Sequence, residues 1–331
     1  MRLGIFKRAR YLISFLLPLL LVFGIVAILL GESHTSFVFS IALPIFVVLN
    51  FMQCMVLLLK RKRKVIGNFV ALLLFFFCFD SFYQFNFDKE TKEPTISILT
   101  YNVQGFTSSS NNSTNKKEEI ANFVKRIDAD IVCFQEFSAI EYKKYRDDYP
   151  YWIKSNMDMP NKSVLAIFSK FPIVNNGYLE FPNSNNNTMF VDIDIDGRIY
   201  RLYNLHLESY KVDRNSQLNP PNSYNIILKA DKNRGIQAQL VKQHMKDFDG
   251  EVIIVGDFNS TQYSPVYRVL KGSKKDTFVE AGSGFGGTLK LFKYPFKVDH
   301  ILVDDKLEVI AHKNFNVNLS DHEPVLAEIK L

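Results

Sequence analysis

Cysteine and tryptophan are scarce in this 331-residue chain, with three of the first and one of the second. Three thiols (Cys54, Cys78 and Cys133) cannot build a disulfide framework. No Cys-x-x-Cys pair or Cys/His cluster offers a structural zinc site. Charge bias is also missing from most of the chain. Residues 1–94 hold 11 of the 40 Lys+Arg and 5 of the 34 Asp+Glu, which leaves 29 of each sign in residues 95–331. The net charge of +6 therefore belongs to the first quarter and is no argument for nucleic acid. There is no internal repeat, and the polar stretch Thr107 to Asn115 (TSSSNNSTN) is the only low-complexity loop. What is present is hydrophobic material, 47% of residues against 22% charged, which excludes a disordered chain.

That material is unevenly spread. Residues 11–30, 37–59 and 65–87 are three apolar runs, the last broken only by Asp80. A helix needs about 20 apolar residues to cross hydrocarbon, so the runs predict three transmembrane helices in a membrane module over residues 1–90. A cleaved signal peptide does not fit the first run, which lacks a small-x-small site near Gly31 and is followed by further spans. Arg2, Lys7, Arg8 and Arg10 precede the first run, and Lys60 to Lys64 (KRKRK) fill the second turn, while 31–36 has no basic residue. Basic flanks stay in the cytoplasm. The expectation is an integral protein, of a bacterial inner membrane, with a cytoplasmic N-terminus and everything after residue 90 on the outer, periplasmic side. Phe82, Tyr83, Phe85 and Phe87 are expected as the interface belt of the third span.

From Pro94 the pattern changes to short strands and amphipathic stretches. Strands are predicted over 95–101, 131–134, 164–168, 190–195, 199–205, 252–255, 298–303 and 325–329, with Asp196-Gly197 as a hairpin turn. Helices are predicted around Ile120 to Ile127 and Ile236 to Met245. Many strands with few helices point to two packed sheets with helices outside.

Polar clusters sit where these strands stop: Asn102, then Gln135-Glu136, then Gly256-Asp257-Phe258-Asn259, and Ser320-Asp321-His322 before the last strand. Each alone is more often a turn, a solvated loop residue or a cap. Together, carboxylates, amides and an imidazole suit a hard cation such as Mg²⁺ or Mn²⁺ and a phosphate ester. A carboxylate can orient water, and a histidine can serve as acid, base or phosphate donor.

The blocks ILTYNVQG, IVCFQEF, SVLAIFSKFPI, YNLHLES, VIIVGDFNS, KVDHILV and SDHEPVLAEI, spread from Ile98 to Ile329, resemble the endonuclease/exonuclease/phosphatase superfamily. That superfamily includes pancreatic-type DNases, abasic-site endonucleases, neutral sphingomyelinases and inositol-polyphosphate phosphatases. The resemblance implies an α+β fold, a four-layer α/β/β/α sandwich over residues 95–331, and hydrolysis that depends on Mg²⁺ or Mn²⁺. It implies Glu136, Asp321 and Asn102 on the metal side, and Asp257 and Asn259 at the attacking water. It further implies His322 at the scissile phosphate held by Asp299, and His206 as a second phosphate or leaving-group donor. Gln104 stands where some members place another acidic ligand, which puts a second metal in doubt.

Arg234 is a candidate substrate-phosphate contact, expected at the start of a helix. Residues 208–235, with Pro220-Pro221 in the middle, are expected as a substrate-selecting loop, and residues 88–94 as a tether reaching roughly 25 Å. His34, His244, His300 and His312 are expected to be structural or exposed. Three functions follow. The first is a membrane-anchored, nuclease-like phosphodiester hydrolase. The alternative is a phospholipid or inositol-phosphate phosphoesterase, and the last an inactive scaffold. The expected partners are a nucleic-acid or phospholipid/inositol-phosphate substrate and the bilayer, with no protein partner inferable.

Overall fold

The computed structural model describes residues 2–331 except 32–33, 88, 90, 92, 107–112, 139–140, 156–162, 183, 211–219 and 292–293. The first six residues of the expected polar loop 107–115, and parts of the 31–36 turn and of the 88–94 tether, thus lie outside the described residues. The chain divides into two compact units, Met1–Phe82 with Thr261–Arg268, and Tyr83–Ser260 with Val269–Leu331.

The first unit is helical: α1 (Arg2–Leu30), α2 (His34–Leu59) and α3 (Val65–Cys78). Leu21, Ile25, Leu43, Val47, Ala71, Leu72 and Phe75 are buried among them, while Phe23, Phe51, Phe69 and Phe77 are exposed. The inward seam also carries amides, because Asn68 Nδ2 donates to Asn50 Oδ1 (3.0 Å) and Gln53 Oε1 (2.7 Å). Interhelical amide bonds of this kind fix register where apolar packing alone does not.

Among the described residues one helix, Thr35–Leu59, is long and apolar enough to cross a membrane. The expected third span over 65–87 is corrected. Phe79 turns to extended backbone (φ −140°), so α3 keeps 14 residues, about 21 Å at 1.5 Å per residue. Asp80 and Ser81 follow, and a carboxylate there ends apolar burial. The expected belt is likewise redirected, since β1 (Gln84–Phe85) pairs with a strand at Ser283–Gly284. The described part of the expected tether is not free chain either, because Lys89 N donates to Ile310 O (3.2 Å).

The second unit carries the remaining strands. They are β2 (Thr95–Asn102), β3 (Ile131–Gln135), β4 (Tyr151–Lys154), β5 (Ala166–Ser169), β6 (Ile173–Glu180), β7 (Asn187–Ile195), β8 (Arg198–His206) and β9 (Val252–Asp257). After them come β10 (Lys275–Asp276), β11 (Ser283–Gly284), β12 (Leu289–Leu291), β13 (Tyr294–Phe296), β14 (Asp299–Val303), β15 (Glu308–Asn314) and β16 (Val325–Lys330). One six-stranded sheet has the order β15-β16-β2-β3-β5-β4, the other β10-β14-β9-β8-β7-β6. Each contains one parallel pair, β2 with β3 and β8 with β9, flanked by antiparallel neighbours.

Period-two alternation explains the layering. Ile96, Ile98, Ile131, Cys133 and Val325 from one sheet and Ile193, Leu202, Ile253, Val255 and Ile301 from the other share a single core. The alternate residues Leu99, Tyr101, Val132 and Phe134 face outward against Ile120, Phe123 and Val124 of α4 (Ser113–Ile127). On the other sheet α5 (Pro220–Met245) lies outside, with His244 bonded to Tyr203 (2.7 Å) and Gln237 to the backbone of Glu208 (2.8 Å). The Asp196-Gly197 turn has φ of +53° and +82°, the left-handed pair a two-residue hairpin needs.

Candidate active site

Strand register assembles the site before any side chain is considered. In the parallel pairs Asn102 lies opposite Gln135, and His206 opposite Asp257. Asp257 also lies opposite Asp299 on the antiparallel β14. The carboxyl ends of β8 and β9 and the start of β14 therefore bring His206, Asp257 and Asp299 to one rim. Gly256 makes that approach possible: at φ +123°, a Cβ would lie 2.2 Å from Leu205 O. Gln104, Glu136 and Asn259, all at this rim, have φ near +50°. Non-glycine residues held in the left-handed region concentrate where a site over-determines the backbone.

Asn102 joins the two sheets. Its Oδ1 accepts from Gln104 N (3.0 Å), which leaves its amide N–H₂ to donate to Asp257 Oδ2 (3.0 Å) and Glu136 Oε1 (3.3 Å). Asp257 is buried and further held by Asn259 N (2.8 Å) and Asn259 Nδ2 (3.2 Å), while Asn259 Nδ2 also donates to Leu207 O (3.0 Å). His322 Nδ1 lies 2.8 Å from Asp299 Oδ2, and its Nε2 3.6 Å from Asp257 Oδ2. His206 Nε2 lies 3.6 Å from Glu136 Oε1 and 3.8 Å from Asp257 Oδ2, with Nδ1 at 2.8 Å from Ser163 Oγ. Asp321 Oδ2 accepts from Gln104 Nε2 (2.9 Å).

Their surroundings push the two histidines in opposite directions. Burial disfavours a charged His322, but Asp299 and then Asp257 outweigh it and lift its pKa to about 10. At His206 burial is the largest influence and lowers the pKa, leaving a neutral ring. Burial raises the carboxyl pKa of Asp257 against the pull of His322, and that of Glu136 against its bond from Asn102. Two imidazoles pushed toward different protonation states thus lie within 3.8 Å of one buried carboxylate.

Asp257, Asp299 and His322 also present ligand atoms within 4.8 Å of one another. Asp299 Oδ2 is already taken by His322 Nδ1, so that group reads better as an oriented imidazole beside a carboxylate. Glu136, whose side chain is 37% exposed, is the more open oxygen donor. A divalent cation fits this rim: Glu136 and Asp321 offer carboxylate oxygens, whereas the Asn102 oxygen is turned to Gln104 N, and buried His206 Nε2 and Asp299 Oδ1 have no hydrogen-bond partner among the described residues.

The sequence-derived residues Asn102, Glu136, His206, Asp257, Asn259, Asp299, Asp321 and His322 are all linked through these contacts. Arg234 is not. It lies in the middle of α5, fully buried, where Nη1 donates to Glu208 O (2.9 Å) and Nη2 to Tyr210 Oη (2.5 Å). The expected position at the start of a helix is corrected. The helix begins at Pro220 because proline suits the first turn, where its missing N–H is no loss. The expected 208–235 loop is therefore half helix, and residues 211–219 of it lie outside the described residues.

Ser163, Asn204 and Thr288 escaped the sequence, and Gln135 was noted only as a strand-end residue. Ser163 meets His206. Gln135 Nε2 donates to Asn204 Oδ1 (2.7 Å) and Thr100 Oγ1 (3.0 Å), and Asn204 Nδ2 to Phe134 O (3.0 Å), so buried amides stitch the sheets beneath the rim. Thr288 Oγ1 accepts from Asp299 N (3.1 Å). Buried amides inside strand-like runs, Gln135 in IVCFQ and Asn204 in RIYRLYNLH, were the legible signal.

Three solved structures illustrate the fold. D. rerio TDP2 complexed with single-strand DNA product is 16% identical, with TM-score 0.55 over 72% of this chain and all (100%) of that one. An endonuclease/exonuclease/phosphatase from Bacteroides vulgatus is 19% identical, with TM-score 0.56 over 72% of this chain and 100% of that one. A Bacteroides thetaiotaomicron mannosyl-6-phosphatase is 20% identical, with TM-score 0.54 over 71% and 100%. At such identities the likeness speaks for the fold. The curated proteins gave no match. The model of the Endonuclease/Exonuclease/phosphatase family matches residues 99–322, from the strand that ends in Asn102 to His322 itself, and the chain belongs to that family.

Proposed function

We propose that the protein is a membrane-anchored hydrolase of phosphodiesters, with a nuclease-like reaction at the rim built by Asn102, Glu136, His206, Asp257, Asn259, Asp299, Asp321 and His322. The observation that carries this reading is the approach of His322, its ring held by Asp299 at 2.8 Å, to buried Asp257 across one gap, 3.6 Å between Nε2 and Oδ2. His322 donates to a phosphate oxygen, and Asp299 keeps its ring oriented. Asp257, held by Asn102 and Asn259 and made more basic by burial, orients and deprotonates the attacking water. Neutral His206, fixed by Ser163, offers a second contact to the phosphate or leaving oxygen. Glu136 and Asp321 would hold Mg²⁺ or Mn²⁺, which when bound supplies neutralising charge to the phosphate.

D. rerio TDP2 with its single-strand DNA product and the mannosyl-6-phosphatase mark two substrate directions. A third, a phospholipid or inositol-phosphate headgroup, is favoured by the apolar helix Thr35–Leu59 and by the balanced charge of residues 95–331. The basic flanks of the helices support a cytoplasmic N-terminus and a catalytic unit outside. Alkaline phosphatase fused after Leu331 is then active in a bacterial host, and an inactive fusion reverses the topology.

The decisive test is turnover by the detergent-solubilised chain with Mg²⁺ or Mn²⁺ against DNA, RNA, sphingomyelin, phosphoinositides and a small aryl phosphodiester. Turnover lost in EDTA and restored by Mg²⁺ is expected. Full activity in chelator refutes the metal assignment, and no turnover of any phosphoester refutes the enzyme.

A further inference from the structure

The turn that carries Asp257 and Asn259 is conformationally demanding, with Gly256 at φ +123° and Asn259 at φ +48°. β14 meets this turn twice, pairing the backbone of Asp299 with that of Asp257 and reaching the turn with the side chain of His300. Successive strand residues point to opposite sides. Asp299 reaches His322, and the next residue, His300, reaches the turn instead. His300 packs its ring against Phe258 at 4.8 Å, and its Nε2 lies 3.0 Å from Ser260 O.

The other ring nitrogen decides the direction of that bond. His300 Nδ1 lies 2.7 Å from Lys297 Nζ. An ammonium group only donates, so Nδ1 is the acceptor and the ring proton sits on Nε2, donating to the Ser260 carbonyl. Lys297 is buried, and its charge is met by Asp276 Oδ2 at 2.6 Å. The second oxygen of Asp276 caps the short helix at Thr277–Ala281 through Phe278 N (2.9 Å). An ion pair anchored to that helix thus sets the tautomer of a histidine that grips the catalytic turn.

We propose that Lys297 and His300 are positioning residues for hydrolysis: Lys297 fixes the tautomer of His300, and His300 holds the Gly256–Ser260 turn so that Asp257 and Asn259 keep their places at the phosphate. The inference rests on the roles given above to Asp257 and Asn259. Were the Lys297–Asp276 pair only a prop for the fold, loss of the His300 N–H would change stability and leave the chemical step alone.

The test uses the full chain in detergent. ¹⁵N-histidine spectra, with His300→Gln identifying the signal, read the tautomer without requiring activity, and the Nε2–H form is expected. His300→Phe keeps a ring against Phe258 but cannot donate. Its kcat should fall about tenfold or more at unchanged KM and Tm, with His300→Gln, whose amide can donate, recovering to within about threefold of the parent. Wild-type kcat in folded His300→Phe overturns the proposal, and so does an Nδ1–H tautomer. If His300→Phe fails to fold, the double variant Lys297→Met with Asp276→Asn replaces it, leaving no unpaired buried charge. In that variant a mixed tautomer and reduced kcat support the inference, and an unchanged tautomer or kcat overturns it. If the parent turns over no phosphoester, the proposed function has failed, and the brace stands or falls on the tautomer alone.

Discussion

The two six-stranded sheets repeat one plan and divide one task. Each centres on a parallel pair whose carboxyl ends reach the rim. The sheet of β2 and β3 delivers Asn102 and the partly exposed Glu136. The sheet of β8, β9 and β14 delivers His206, Asp257 and Asp299, all buried. The difference is one of exposure. Glu136 keeps an oxygen edge open to solvent from which a hydrated cation can be taken, whereas burial raises the pKa of Asp257 and lowers that of His206. The site works, in this reading, because the sheets keep these environments apart and Asn102 couples them.

Breaking the buried side should cost most. Asp257→Asn removes the base and leaves shape and size unchanged, so kcat should fall about a thousandfold or more. Steady-state kinetics that show less than about a tenfold loss would remove Asp257 from the chemical step.

On the open side, Glu136→Gln should lower kcat about a hundredfold and weaken Mg²⁺ binding, the latter read by calorimetry. A variant that binds Mg²⁺ like the parent would move the cation away from β3.

Asp299→Asn tests the support of the buried side. The Asp299 carboxylate is the largest influence raising the His322 pKa to about 10. Its loss should bring the alkaline limb of the pH–rate profile toward acid and reduce kcat on the order of tenfold or more. Stability carries the same sign. The folded pKa of about 10 lies above the ordinary histidine value of 6.5, so the stabilisation is complete below 6.5 and lost as pH rises through about 10. Urea melts from pH 6 to 10 should therefore show a smaller decline for Asp299→Asn than for the parent, and parallel declines would contradict the pairing.

The smallest effect on turnover belongs beneath the rim. Asn204→Leu removes the amide that links Gln135 to the backbone of Phe134, and should cost about 1–3 kcal/mol of stability. Turnover should change by less than about threefold. A large kcat loss at full stability would show that the stitch tunes the site instead of holding the sheets.

How much of this was legible in advance follows from the range of each interaction. The β-branched-rich segments TISILTY and VIIV marked β2 and β9, because short runs of this kind closed by polar or turn residues read as strands. The rim residues stood out because they end those strands. Arg234 was misplaced because the segment before it looked like loop, although Pro220-Pro221 opens a helix. The third apolar run was overextended, since hydropathy does not register that Phe79 leaves the helix and that Gln84 and Phe85 pair with Gly284 and Ser283.

The sequence by itself determined where the apolar runs and the main strands lie and which chemical types gather at strand ends. All of these depend on side chains a few positions apart. Tertiary structure alone decided that Asn102 bridges Glu136 and Asp257, that Ser163 meets His206, and that Lys297 reaches His300 while Asp299 reaches His322. Most of those contacts join residues distant in sequence. They exist because register and sheet packing place them there, and no local pattern encodes the partner of a buried hydrogen bond.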